Sequence, residues 1–332
     1  MIRVHLMGSG QRRVVVATHG HCFDGLCSAA LFSRLYDRVI EKDAKYIYHA
    51  SGYGPGENGV DPALLDGDDN VILDFRYSRA PALSWYFDHH VSAFPTDEDR
   101  ASFTAREKRS PTRFFHDGAY SSCTKLIADV ARQKLGYEFD GLDELIRWAD
   151  VIDSARFPSA EMAVLRAEPA LQLMTVVEHH GDAGFLTKMV PRVLSQSIDE
   201  IALSPEIQEA YRPLYDQNGA FVELVKTHAR TEGPVVIVDL LDHKFDVATK
   251  FVTYALYPES AYSVMLTRSK SRAKISVGYN PWSKLPRTHD IASICERYGG
   301  GGHPVVGAVS LKPDDVEAIR KIGHEITTEL GR

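Results

Sequence analysis

The sequence predicts an α/β protein: a parallel-sheet domain joined by a helical connector to a smaller α/β domain. Three observations predict it. Residues 14–17, 71–73 and 85–87 are uninterrupted apolar runs, the pattern of strands buried on both faces, and they are separated by helical patterns and loops. Residues 205–231 form a long amphipathic stretch, the mark of a connecting helix. Glu232-Gly233-Pro234 then punctuates the chain, and a new apolar strand starts at Val235. The expected boundaries are 1–196 for the first domain, 197–233 for the connector and 234–332 for the second domain.

Composition narrows the class. The 332 residues are 44% hydrophobic and 25% charged, as in an ordinary globular protein. The net charge of −7 argues against tracking long duplex DNA by bulk charge, but it allows a local basic pocket for a small anion. Cys22, Cys27, Cys123 and Cys295 are scattered, with no C-x-x-C pair, so neither a zinc knuckle nor a disulfide framework is indicated. Free thiols fit a reducing cytosol. No signal-like apolar segment opens the chain and no run approaches 18 apolar residues. A cytoplasmic protein without a membrane span is expected.

The first strand runs into Thr18-His19-Gly20-His21-Cys22-Phe23-Asp24-Gly25. A helix follows, apolar at Leu26, Ala29, Ala30, Phe32, Leu35 and Tyr36. Asp24 reads either as a helix cap beside solvated histidines or as part of a ligand-bearing turn. Tyr46-Ile47-Tyr48 is a second strand. The glycine-rich loop 51–59 lacks a lysine and the P-loop spacing. Residues 71–73 are a third strand, ended by Asp74, and a short helix is expected near 80–84. A fourth strand, Trp85-Tyr86-Phe87, ends in Asp88-His89-His90. Ligands bind beyond the carboxyl ends of strands in open α/β sheets, and three strand ends here carry carboxylates or imidazoles. Such a mixture suits a divalent cation, manganese better than magnesium. A carboxylate at Asp74 could bridge two of them in a phosphoryl displacement. Residues 97–113 read as a charged, structureless loop. Ser121-Ser122 caps a helix to about Lys134. The helix 141–153 ends with Asp150 and Asp153 on one face. Acids are unfavourable at a helix C-terminus, so one of the two is a candidate last ligand.

In the second half, residues 161–194 read as helical with a break near 181–184, and His179-His180 as surface. After Val235 come a helix near 247–256, strands at 262–267 and 273–277, a helix near 291–298 and a strand at 305–309. Gly299-Gly300-Gly301-Gly302-His303 sits just before that last strand. It reads as a flexible turn or, better, as a backbone cradle for an anion, with His303 as a further donor. Between Ser263 and His303 seven basic residues face two acids, a local surplus suited to a phosphorylated ligand.

Taken in order, Asp24-Gly25, Asp74, Asp88-His89-His90, Ala149-Asp150 and the distal glycine run with His303 resemble the DHH phosphoesterase family, in the subgroup with the DHH-associated C-terminal domain and its GGGH motif. The resemblance spans about residues 14–311. That family includes RecJ-type exonucleases, oligoribonucleases (nanoRNases) and phosphoadenosine-phosphate phosphatases, and cyclic-dinucleotide phosphodiesterases. The resemblance implies a parallel-sheet catalytic domain and two divalent cations, Mn2+ with Mg2+ as the alternative. It implies His19, Asp24, Asp74, His89 and Asp150 as ligands, with Asp74 bridging. Asp88 would orient His89, and His90 would face the scissile phosphate. Arg268 and the loop of Gly300, Gly301, Gly302 and His303 would hold the substrate's phosphate or nucleotide. One departure stands out. The family's first motif has two aspartates one residue apart ahead of glycine, and Cys22 occupies the first position. His21 and Cys22 are therefore alternative ligands, and Asp153, on the helix face of Asp150, is a third.

The expected function is metal-dependent hydrolysis of a small nucleotide or short oligonucleotide. The alternatives are a nucleotide sensor with a degraded metal site and a RecJ-like single-strand exonuclease. No membrane and no long duplex DNA are expected as partners; a homodimer is allowed.

Overall fold

The computed structural model describes residues 11–52, 59–244, 251–270 and 272–332. The chain divides into two compact units: residues 1–156 with 169–211, and residues 157–168 with 212–332.

The first unit starts with β1 (Arg13–His19), α1 (Phe23–Leu35), β2 (Lys45–Ser51), β3 (Asp69–Leu73) and β4 (Trp85–Asp88). It continues with α2 (Asp97–Arg109), β5 (Phe114–His116), α3 (Cys123–Leu135) and α4 (Asp143–Asp153). The intervening α5 (Ala160–Leu165) belongs to the second unit; α6 (Pro169–His180), α7 (Ala183–Val193) and α8 (Ile198–Ala202) return to the first. Five parallel strands form one sheet in the order β2-β1-β3-β4-β5. Side chains alternate across it. Val15, Ala17, Ile72 and Tyr86 pack with Phe75, Phe103 and Phe114 on one face. Trp85 and Phe87 meet Phe32 of α1 edge-on from the other. The strand order places β2 on one side of β1 and β3 on the other. The carboxyl ends of β1 and β3 therefore flank a topological switch point, where an open α/β sheet leaves a crevice.

Two expectations are corrected here. Residues 80–84 contain a turn at Pro81-Ala82, not a helix. Residues 97–109 are helical, not structureless. Thr96 and Asp99 close a capping box, acids fill the first turn and bases the last, which satisfies the helix ends without a wide apolar face. The Arg106 guanidinium then donates to the carbonyls of Ala80 and Leu83, at 2.8 and 3.0 Å. Strand β5 was not anticipated. Part of the loop 51–59 and the start of the helix expected from 247 lie outside the described residues.

The second unit takes up the chain within α9 (Pro205–His228). It adds β6 (Ala229–Glu232), β7 (Val235–Lys244), α10 (Val252–Leu256), β8 (Tyr262–Arg268), β9 (Ala273–Tyr279), α11 (Ile291–Glu296), β10 (Gly301–His303), β11 (Val306–Leu311) and α12 (Val316–Leu330). Its sheet runs β10-β11-β9-β8-β7-β6, with β7 and β8 parallel and the other pairs antiparallel. Alternation along β7 builds two layers. Val235 and Ile237 join Ile291, Ile319 and Ile326; Val236 and Val238 join Phe221 and Val225 of α9. Among the described residues, no helix is long and apolar enough to cross a membrane.

Candidate metal centre

The turn after β1 is rigid. His21 has a left-handed backbone (φ 55°), and its N–H donates to the Gly181 carbonyl at 2.9 Å. Gly25 has no room for a side chain: a Cβ there would lie 2.2 Å from the His19 carbonyl oxygen. This brings His19 and Cys22 to the same strand end. Cys22 is the N-cap of α1, yet its side chain makes no capping hydrogen bond. Its Sγ instead lies 3.6 Å from Asp74 Oδ2.

Asp24 does not cap its own helix. It is buried, and its carboxylate accepts from the backbone N–H groups of Cys123 (2.7 Å) and Thr124 (3.0 Å) at the start of α3. Asp74, the first residue after β3, is also buried and has φ 52°. A left-handed non-glycine residue costs about 1–2 kcal/mol, and such strain concentrates at functional sites. Its N–H donates to the Phe87 carbonyl at 3.0 Å, which pins the end of β3 to β4.

At the end of β4 the two histidines face different partners. His89 Nδ1 lies 3.1 Å from the Tyr120 carbonyl oxygen. A carbonyl only accepts, so Nδ1 carries the proton and Nε2 points away from it. That Nε2 is surrounded by Asp153 Oδ2 at 3.1 Å, Asp74 Oδ1 at 3.4 Å and Asp24 Oδ2 at 4.0 Å. His90 Nδ1 lies 2.7 Å from Asp88 Oδ1. Asp88 is fully buried, and its other oxygen accepts from the Tyr86 hydroxyl at 3.0 Å.

These side chains make three overlapping groups with donor atoms within 4.8 Å of one another: His19, Cys22 and Asp74; Asp74, His89 and His90; Asp24, His89 and Asp153. Asp74 and His89 are each shared. Asp74 Oδ1 and His89 Nε2 are buried and have no well-formed hydrogen bond among the described residues. Buried polar atoms without partners are rare in folded proteins. Oxygen and nitrogen donors converging on one point without a hydrogen bond are what a divalent cation requires, so the residues fit a metal.

Electrostatics agree. Burial, then the neighbouring Asp74 and Asp153, push Asp24 well above the usual carboxylate range. Burial also raises Asp74, with His89 opposing it. Burial lowers His89, but Asp153, Asp74 and Asp24 outweigh it and push the imidazole up to about 11. Burial holds His19 below its ordinary value, which keeps it in the neutral, ligating form. Contact with Asp88 raises His90. Without a cation, burial disfavours the ionised forms of Asp24 and Asp74.

Three expected roles do not match this geometry. Asp88 is bonded to His90, not to His89. Asp150 lies outside the groups: its carboxylate accepts from the Ser121 hydroxyl and lies 3.4 Å from Lys125 Nζ. Asp153, one turn closer to the end of α4, takes the place beside His89. His21 is exposed and joins no group among the described residues. Tyr120 was missed, and nothing in the sequence marks it, because it acts through its backbone carbonyl.

In the second unit, the glycine run enters the β10–β11 hairpin. A Cβ at Gly300 would lie 2.1 Å from the Ala308 carbonyl oxygen, and one at Gly302 (φ 156°) would lie 2.2 Å from that of Val306. A Cβ at Gly301 would meet nothing within 4 Å. With Gly299 at φ 75°, the fold itself thus accounts for three of the four glycines and leaves Gly301 unexplained. His303 is exposed at the end of β10. Arg268 closes β8, and its buried Nε has no hydrogen-bond partner among the described residues.

No protein-family model matches the chain, and no curated protein matches it by sequence. Solved structures do. The chain is similar to a pGpG-specific phosphodiesterase, PggH, from Vibrio cholerae, with 18% identity over 96% of this chain and 99% of that one, and a TM-score of 0.67. It also matches exonuclease RecJ bound to manganese, with 13% identity over 96% of this chain and 90% of that one, and a TM-score of 0.46. A RecJ from Thermus thermophilus in complex with Mn2+ matches at 12% identity over 96% of this chain and 52% of that one, with a TM-score of 0.42. The first likeness extends the shared fold over both units.

Proposed function

We propose that the chain is a DHH-type, metal-dependent phosphoesterase acting on small nucleotides or short oligonucleotides. The observation that carries this reading is the convergence of Asp24, Asp74, His89 and Asp153 on one point at the switch of the parallel sheet. His19, Cys22, Asp24, Asp74, His89 and Asp153 would hold two divalent cations, with Asp74 between them. Such cations polarise a phosphoryl oxygen and supply a nucleophile at neutral pH. The Asp24–His89–Asp153 group offers only oxygen and nitrogen, which suits Mn2+.

The chain's own residues do the rest. Asp24 is anchored by two backbone N–H groups, so it is preorganised and does not turn on binding. Tyr120 fixes the His89 tautomer. Asp88 holds the His90 Nδ1 proton, which leaves His90 Nε2 to donate to a phosphoryl or leaving oxygen. Arg268, the Gly300–Gly302 loop and His303 bind a terminal phosphate. A net charge of −7 favours short substrates, because long nucleic acid gains affinity from bulk positive charge. The fold likeness to a pGpG-specific phosphodiesterase makes linear dinucleotides the first substrates to examine.

The test is a hydrolysis panel with Mn2+ covering pGpG, phosphoadenosine phosphate, short oligoribonucleotides and single-stranded DNA. Turnover of the small substrates, lost in Asp74→Ala, is expected. Tight nucleotide binding without turnover in any metal would overturn the enzyme reading in favour of a sensor.

A further inference from the structure

The His19–Cys22–Asp74 group differs in chemistry from its neighbour. It carries sulfur, whereas the Asp24–His89–Asp153 group does not. Cys22 is half-buried, while Cys27, Cys123 and Cys295 are buried. Its thiol does not cap α1, although the N-cap position invites that bond. It points instead at Asp74 Oδ2, 3.6 Å away. The other Asp74 oxygen is buried, with no hydrogen-bond partner among the described residues. His21, the other candidate in the turn, is directed to solvent and its backbone is tied to Gly181.

We propose that Cys22 Sγ is a metal ligand and that, with His19 and Asp74, it forms a subsite selective for a thiophilic divalent cation such as Zn2+, Co2+ or Fe2+ over Mn2+ and Mg2+. The inference rests on the metal-centre reading above and goes further by assigning different softness to its two halves. Thiolate and imidazole together favour the later, softer metals, and carboxylates with one imidazole favour harder ones. As the sulfur–metal bond forms, the thiol proton leaves to solvent. The cysteine at this position is then a replacement ligand, not a defect. The rigid turn supports it: His21 in its left-handed conformation and Gly25 against the His19 carbonyl hold Sγ in place before any ion arrives.

The experiment titrates the metal-free full chain with Co2+ and follows the near-ultraviolet sulfur-to-cobalt charge-transfer band, with calorimetry in parallel. The wild type should show the band; Cys27→Ser should keep it and Cys22→Ser should lose it. Cys22→Asp should bind cobalt without the band. In that variant the preference for Zn2+ over Mn2+ should fall about tenfold or more, the lower end of what even outer-shell partners of a metal contribute. Circular dichroism checks that each variant is folded. Cobalt uptake by the wild type without the band, or a band that survives in folded Cys22→Ser or Cys22→Asp, overturns the proposal while leaving the metal centre standing. No cobalt uptake at all overturns the metal centre itself, and this inference with it.

Discussion

Asp88 Oδ1 lies 2.7 Å from His90 Nδ1, while the adjacent His89 turns its own Nδ1 to the Tyr120 carbonyl oxygen at 3.1 Å. Two neighbouring imidazoles thus receive different orienting groups. A full carboxylate behind His90 stabilises its protonated form; a neutral carbonyl behind His89 fixes a tautomer without adding charge. That division suits one histidine for handling protons and the other for binding metal.

Asp88→Asn tests it. The amide keeps the shape and the Tyr86 contact but loses the charge. The kcat should fall about 10–100-fold, the usual effect of removing an orienting partner, while bound metal per chain stays constant. His89→Ala should lower metal content. Steady-state kinetics with metal analysis would decide; Asp88→Asn protein that loses metal but keeps its activity per metal would sink the assignment.

Metal uptake should release protons. Burial and like charge raise Asp24, burial raises Asp74, and the carboxylates around His89 push it up to about 11 against burial. With His89 at about 11, its imidazole holds a proton on both nitrogens at neutral pH, so a cation at Nε2 must displace one. Affinity therefore rises with pH, by about tenfold per pH unit for each proton displaced. Calorimetry in buffers of different ionisation heats measures the number directly. Binding heats that are independent of the buffer would contradict it.

Much of this was legible in the sequence because the parallel sheet writes itself in uninterrupted apolar runs. Val14, Val71 and Trp85 each start such a run, and the polar residue that ends it lies at the strand's carboxyl end. What failed was local and three-dimensional. Asp150 and Asp153 share a helix face, and only the end of α4 relative to β4 decides which one reaches His89. Asp88 lies next to His89 in sequence, but its carboxylate reaches over to His90. Helix α2 was missed because it is held by its caps, with only Asp99 and Phe103 buried, so it lacks the apolar stripe that periodicity detects.

Asp74→Asn should separate function from stability. Asparagine tolerates the left-handed backbone that Asp74 adopts, so the turn survives. The buried charge disappears, and with it the like-charge contact with Asp153. The metal-free variant should be as stable as wild type or about 1 kcal/mol more stable, while metal-dependent hydrolysis drops to background. Thermal unfolding with and without chelator reads both effects. Destabilisation of the metal-free protein would show that Asp74 serves the fold instead.

The glycine run gives the sharpest contrast. Gly300→Ala drives a Cβ to within 2.1 Å of the Ala308 carbonyl oxygen, so β10 and β11 must part; overpacking of this kind costs about 1–3 kcal/mol. Gly301→Ala meets nothing within 4 Å, and its stability should stay within about 0.5 kcal/mol of wild type. If a phosphate packs against the open face of Gly301, the new methyl group holds that anion off its donors. Losing a hydrogen bond to a charged group costs about 1.5–3 kcal/mol, so KM should rise about tenfold or more with kcat little changed. The same variant should behave as wild type toward a phosphodiester that carries no terminal phosphate. Unchanged KM for every nucleotide in Gly301→Ala would reduce the run to a hairpin that needs two of its glycines for packing, and would remove it from the substrate site.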